Sequence, residues 1–336
     1  MARSIGIVVR DYVNFNNYLS GQEFFVYMLI RKLKSFGFNV EVVLLDELLK
    51  GEKRYDVLHL YYLRFRDVMS VRRFFREALL VYHVYHVDDI TWSRLHSFSW
   101  KCFLASLQFI VDRYLATGTS VYRWLRRRVF LSDCVLVEPY YECSCRSFSS
   151  FFRIVEKKFS EIDRLELLYL GRLNPWRFPL RDIVKVFTRL SNKIDLDVRL
   201  KVVSKLGISV RKLVVRRGRV TVEFVNERVS EQDKCRLYRE AHFFLYPAKG
   251  NVAMNPPITL LEAVYHGCLP IVTPYVLVDL KVPRQLVVEK ISDMPAKIYT
   301  LLTDKNLLWC AVRELYRGFK VYYDELRFVN ALKQVI

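Results

Sequence analysis

The sequence predicts an α/β protein built as two similar halves in series, each with a mainly parallel sheet. Three observations carry that prediction. Short apolar runs alternate with helix-like stretches from Ser4 to Val137, and the alternation pauses over Pro139 to Arg153, a stretch rich in Ser, Cys and aromatic residues. It then restarts at Leu165 and continues to Val288. Strands that alternate with helices imply βαβ units, and a pause between two such series marks a domain boundary. A chain of 336 residues is long enough for two cores of ordinary size, so domains are expected over residues 1–150 and 151–336.

In order, Ser4 to Arg10 reads as the first strand and Gln22 to Phe36 as an amphipathic helix stopped by Gly37. Val40 to Leu45 and Asp56 to Leu60 are the next strands, Val71 to Glu77 a helix, and Leu79 to His86 the fourth strand. Tyr114 to Thr117 and Val135 to Val137 follow as strands, separated by a helix over Val121 to Arg128. In the second half the strands are Leu165 to Leu170, Val198 to Val203, Val220 to Phe224, Phe243 to Tyr246 and Leu269 to Val272, closed by Leu286 to Val288. Helices are expected over Leu180 to Leu190, Glu231 to Glu240 and Thr259 to Tyr265, the last ending at Gly267, with a final helical segment over Leu308 to Val335.

Composition excludes several classes. The chain is 52% hydrophobic and 26% charged, a balance that suits a packed globular protein and not a disordered one. No apolar run approaches the roughly 18 residues of a membrane-spanning helix. The apolar stretch Ile5 to Val9 is too short for a signal peptide and meets Arg10-Asp11 at once, so a cytoplasmic location is expected. The 7 cysteines are scattered without a metal-knuckle spacing, which suits idle thiols in a reducing compartment. A formal charge of +19 favours anionic partners such as phosphorylated substrates, an acidic membrane or nucleic acid. It thickens at Arg72-Arg73, Arg126 to Arg128, and Arg211 to Arg219. Nucleic acid is not the expected partner, because no recognition module such as an RNP strand or KH loop accompanies the charge.

Candidate chemistry concentrates in two places. Leu167 to Leu170 reads as a buried strand running into Gly171, Arg172 and Arg177. Two guanidiniums at a strand mouth match the oxygens of a diphosphate with their planar donor forks. Glu262, in Leu260-Leu261-Glu262-Ala263, is a lone carboxylate able to accept from the two hydroxyls of a ribose; a plain helix-dipole role accounts for it as well. Backbone amides ahead of that helix, around Thr259 and Leu260, are candidate anion donors. Gly21, between the first strand and the first helix, allows close approach of backbone to a phosphate or sugar, or serves as a simple connector. His83 and His86 lie three apart on one strand and face opposite sides of the sheet, with His86 nearer its C-terminal end. His59, His96, His242 and His266 lack a comparable context. The Val121 to Arg128 stretch mixes aromatic and cationic residues, as a helix lying on an anionic membrane does, or simply packs on the surface.

The order of these pieces resembles the retaining glycosyltransferases of family 4, which have two Rossmann-like domains facing across a cleft, the GT-B fold. The likeness spans nearly the whole chain. Ser20-Gly21-Gln22-Glu23 resembles the family's glycine-glycine-x-glutamate turn, with serine for the first glycine. Tyr55 to His59 is similar to its DVIH strand, Val84 to Asp88 to the strand whose histidine reaches the sugar, and Asp112 to Ser120 to its AD-x-I-x-x-S segment. Gly171-Arg172 with Arg177 resembles GR-x-x-x-x-K, with arginine for lysine. Val229 to Pro247 and Leu261 to Pro270 are similar to the family's later signatures. Two departures stand out. Met254 holds the place of the family's first glutamate, and Ser204 to Gly207 replaces a glycine-rich turn.

The resemblance implies a transferase that moves a sugar from a nucleotide-diphosphate donor to a glycan, lipid-linked or protein-linked acceptor with retention of configuration. Gly21, Gly171, Arg172, Arg177, Thr259, Leu260 and Glu262 would hold the donor, and His86, Arg172 and Arg177 would act at the reacting bond. No cofactor or metal is expected, since the arginines replace a cation clamp. The final helix is expected to cross back to the N-terminal domain. The departures leave open a degenerate member that binds nucleotide or glycan without turnover, and the charge leaves open a basic nucleic-acid-binding protein.

Overall fold

A computed structural model describes residues 3–10, 21–51, 53–85, 94–129, 131, 133–142, 150–171, 187, 196–204, 212–227, 229–248, 257–277 and 280–336. The chain divides into two compact units, one holding residues 1–140 with 253–256 and 324–336, the other residues 141–252 and 257–323. The change of unit between Tyr140 and Tyr141 lies upstream of the boundary expected at residue 150.

The strands of the first unit are β1 Ser4–Val9, β2 Asn39–Leu44, β3 Val57–Leu60, β4 Leu79–Val84, β5 Arg113–Ala116 and β6 Cys134–Leu136. They pair in parallel in the order β2-β1-β3-β4-β5-β6. β3 is buried at every residue, as expected of a parallel strand covered on both faces. Among the connections are α1 Gly21–Ser35, the short α2 Leu45–Leu48, α3 Phe65–Phe74, α4 Arg94–Leu107 and α5 Thr119–Trp124. α1 begins with Glu23 in its first turn, ends with Lys32 and Lys34 in its last, and stops at Gly37, whose φ of 82° suits only glycine comfortably.

Two helices depart from expectation here. The helix expected over Val71 to Glu77 starts earlier, at Phe65, because Asp67 accepts from the Arg64 amide at 3.0 Å and caps its first turn. The helix expected over Val121 to Arg128 is α5 followed by a π-turn at Leu125–Val129. It buries Val121, Trp124 and Leu125, so its apolar side is spent on the core, while Arg123, Arg126 and Arg127 are exposed.

In the second unit, α6 Phe151–Ser160 precedes β7 Arg164–Leu170, β8 Asp197–Val203, β9 Lys212–Arg217 and β10 Val220–Val225. Then come α7 Glu231–Glu240, β11 Phe243–Tyr246, α8 Ile258–Tyr265, β12 Leu269–Val272, α9 Met294–Thr303 and α10 Lys305–Phe319. The sheet order is β12-β11-β7-β8-β10-β9, parallel except for β9, which forms an antiparallel hairpin with β10 through Gly218. The basic run Arg211 to Arg219 thus carries an edge strand that sequence reading passed over. The expected strand Leu286 to Val288 is only a tight turn and one bridge, Val287 to Val272. The helix expected over Leu180 to Leu190 falls outside the described residues apart from Phe187. The final segment is not one helix, since α10 is followed by a tight turn and then by α11 Glu325–Leu332. α11 belongs to the first unit, where Lys32 pairs with Glu325 and Phe328 meets Phe25 at 6.2 Å.

Candidate functional site

Chain order places the candidate site of the second unit. The first strand of its sheet, β7, has β8 on one side and β11 on the other, so the chain's winding reverses between β7 and β11. Ligands of open α/β sheets gather beyond the carboxyl ends of strands at such a reversal. Here β7 ends at Leu170 and Gly171 follows, with its amide donating to the Val203 carbonyl at 3.1 Å and a φ of 156°. On the other side, β11 leads toward α8, which carries Thr259, Leu260 and Glu262.

α8 starts behind Pro257, whose carbonyl takes the Leu260 amide at 3.0 Å. Leu260 therefore has no free N–H to offer a phosphate. The amides of Ile258 and Thr259 have no acceptor among the described residues, so they are the first-turn donors still available. Thr259 is half-buried and Leu260 fully buried.

Glu262 lies one turn into α8 and is 1% exposed. Both of its oxygens are engaged from α7. Lys234 Nζ lies 2.7 Å from Oε1, and the Tyr238 hydroxyl donates to Oε2 at 3.0 Å. Burial works against the Lys234 charge, but the attraction of Glu262 outweighs it and holds the ammonium above the usual lysine range. Burial first, and Glu262 second, push the Tyr238 hydroxyl well above its ordinary value. Lys234 and Tyr238 stand one helical turn apart on α7, a spacing that puts them on one face. Sequence reading missed Lys234. The available signal was a lysine four residues before a buried tyrosine on an otherwise polar helix.

A second missed residue is Lys158 of α6. Its ammonium donates to the carbonyls of Tyr238 at 2.7 Å, Ala241 at 2.8 Å and His266 at 3.1 Å. These carbonyls close the C-terminal ends of α7 and α8, where a cation complements both helix dipoles. The two helices that frame Glu262 are thereby tied together.

In the first unit, Gly21 opens α1, the helix after β1. Of the two histidines expected on β4 only His83 is among the described residues. His83 is buried and faces His59 at 2.8 Å through one ring nitrogen and the Tyr85 hydroxyl at 2.7 Å through the other. Burial, with His59 adding a smaller effect, depresses the His83 pKa well below its ordinary value; burial alone brings His59 to about 3. Both rings are neutral core groups. His59, set aside in the sequence as lacking a functional context, is the buried partner of His83. His242 takes the Glu166 amide at 3.1 Å, with its pKa lowered to about 4 chiefly by burial.

His86, Arg172, Arg177 and Met254 lie outside the described residues. No cluster of three His, Cys, Asp or Glu residues able to hold a metal occurs among the described residues. No helix among them is long and apolar enough to cross a membrane.

Residues 164–304, the span from β7 into α9, match the family model of glycosyl transferases group 1. That segment contains the β7 end, the Lys234–Glu262 pair and the first turn of α8. No curated protein sequence matches the chain. Among solved structures, HepE of Anabaena in complex with UDP and glucose is 10% identical, with a TM-score of 0.66 over 99% of this chain and 98% of that one. A glycosyltransferase of Rickettsia africae is 14% identical, with a TM-score of 0.65 over 99% of each chain. A UDP-forming trehalose-phosphate synthase of Burkholderia xenovorans is 11% identical, with a TM-score of 0.61 over 95% of this chain and 80% of that one. These likenesses show the fold, two Rossmann-like domains of the GT-B type.

Proposed function

We propose that this protein is a glycosyltransferase that moves a sugar from a nucleoside-diphosphate donor to a glycan or lipid-linked acceptor, with retention of anomeric configuration. One observation carries the reading. Within the segment that matches group 1 glycosyltransferases, β7 ends at Gly171 beside β11, the strand that leads toward α8 and its cation-paired Glu262. A carboxylate offers about four lone-pair sites. Lys234 and Tyr238 take two, and the remaining two suit the paired hydroxyls of a ribose. Because Glu262 is 1% exposed, donor entry displaces whatever covers it. The amides of Ile258 and Thr259, which have no acceptor among the described residues, take the diphosphate together with the side chains of Arg172 and Arg177.

In the reaction the bond between the sugar's anomeric carbon and the phosphate oxygen breaks, and its electron pair stays on the diphosphate. Arg172 and Arg177 stabilise that growing charge more in the transition state than in the ground state. The acceptor hydroxyl forms its new bond on the face the phosphate leaves, and its proton passes to the departing phosphate oxygen. Gly21 and His86 of the first domain border the sugar in this reading, and no metal is required. The donor base is most economically uridine, since HepE of Anabaena was solved with UDP. A cytoplasmic enzyme that takes lipid-linked acceptors would work at a membrane surface.

The test is release of nucleoside diphosphate from UDP-, GDP- and ADP-sugars, with the anomer of the product read by proton NMR. Turnover with retained configuration is expected, and Arg172→Ala should lower it by roughly a hundred- to a thousand-fold. Binding of a donor without turnover would favour a degenerate binding protein, a reading that Met254 in place of a carboxylate motivates. An inverted product would overturn the front-side route.

A further inference from the structure

The outer face of α3 and α4 in the first unit is unlike an ordinary wet surface. α3 buries Val68 and Val71 and leaves a second stripe outside. That stripe runs Phe65, Met69 and Arg73 at the spacing of one helical face, with Arg76 just past the helix end. Phe65, Met69, Arg73 and Arg76 line a groove of about 890 Å³ together with Ser106 and Phe109, from the end of α4 and just beyond it.

The aromatic residues here are not partly tucked edges. Phe109 is 85% exposed, Phe98 67% and Phe74 61%. Phe98, the exposed Cys102 and Ser106 fall on one face of α4 at helical spacing, and Phe109 follows just past the helix end. Single exposed apolar residues need no explanation, but a cluster rimmed by charge marks an interaction surface. The cations beside them are also unspent. Arg73 and Arg76 are exposed, and their guanidiniums have no carboxylate partner among the described residues. Neighbouring Arg72 is structural by contrast, since it donates to the Ile110 carbonyl at 2.7 Å and pairs with Asp112.

We propose that this α3–α4 face seats the protein on the surface of an anionic lipid bilayer, with Phe98 and Phe109 entering the headgroup region and Arg73 and Arg76 meeting lipid phosphates. Its value for bringing in a lipid-linked acceptor rests on the transfer reading above; the docking itself does not. Two properties select a bilayer over other occupants. Side chains as protruding as Phe109 need a partner that deforms around them, as the acyl–headgroup boundary does, whereas a folded protein would need a matching pocket. Phosphate-bearing lipid also complements unpaired arginines, while a second copy of a chain with a net charge of +19 repels them. The Val121–Arg128 stretch, where sequence reading looked for this contact, offers charge without apolar reach, because Val121, Trp124 and Leu125 are buried.

Cosedimentation with vesicles tests the proposal, using phosphatidylcholine alone and phosphatidylcholine mixed with phosphatidylglycerol. The protein should sediment with the mixed vesicles only, and less as salt rises. Phe98→Ser/Phe109→Ser and Arg73→Gln/Arg76→Gln should each lower the bound fraction's partition coefficient about tenfold or more. Arg126→Gln/Arg127→Gln, equal in charge to the second variant, should lower it far less. All these side chains are exposed, so the variants keep the core, and an unchanged thermal unfolding curve checks this. No sedimentation with mixed vesicles, or equal losses from the two arginine pairs, would overturn the proposal. So would a concentration-dependent dimer that the phenylalanine variant abolishes, since the occupant would then be a second copy. A nucleoside-diphosphate thermal shift run alongside reads the donor site separately, so failure of docking and failure of the transfer reading are distinguishable.

Discussion

The two units bury polar side chains in opposite electrical states. In the first, His59, His83 and Tyr85 form a neutral chain beneath the strand ends, and burial holds both rings uncharged. In the second, Lys234 and Glu262 form a buried ion pair completed by Tyr238. A neutral chain suits a core that has only to be filled and satisfied. A cation-paired carboxylate with acceptor sites to spare suits the hydroxyl-binding role proposed for the second unit.

The largest break in that contrast comes from removing one charge. Lys234→Met leaves Glu262 buried without its cation, which should cost about 3–5 kcal/mol of stability in denaturant unfolding. The double change Lys234→Met/Glu262→Leu should recover most of that loss, because no lone charge then remains. In the first unit His83→Phe removes only neutral hydrogen bonds and should cost about 1–3 kcal/mol. Equal losses at the two sites would erase the distinction.

A smaller effect, spread over pH, sharpens it. A histidine whose folded pKa lies below its unfolded value near 6.5 stabilises the protein above that value, and the contribution fades as pH falls toward the folded pKa. For His59 the window closes at about 3, and for His242 at about 4. Each such group should contribute a slope of about 1.4 kcal/mol per pH unit within its window. With His59 and His83 both in the first unit, acid should open that unit first, read by hydrogen exchange, and His59→Leu/His83→Phe should flatten the dependence. Lys234 behaves in the reverse sense. Its raised pKa keeps the pair intact through neutral pH, with loss only as pH climbs above the usual lysine range.

The sheets were legible because parallel strands are apolar on both faces and stand out as runs, as Leu167 to Leu170 and Phe243 to Tyr246 do. β9 was hidden by its arginines, since an exposed edge strand carries no buried face to mark it. α4 was hidden for a related reason: Phe98 points outward and spoils the amphipathic period. Glu262 was legible as a candidate, but its partners were not. Lys234 lies 28 residues away, and only the packing of α7 on α8 brings the pair together. The His59–His83 contact spans 24 residues and was equally out of reach, because alternation within a strand says nothing about which neighbour a side chain meets.

Isothermal titration of UDP, GDP and ADP into the intact protein and its Glu262→Gln and Arg172→Ala variants tests the central claim most directly. The account predicts saturable binding of one nucleoside diphosphate, weakened at least about tenfold by either substitution. Binding that both variants retain in full, or none by the intact protein at millimolar nucleotide, would contradict a donor site at the end of β7 and the start of α8.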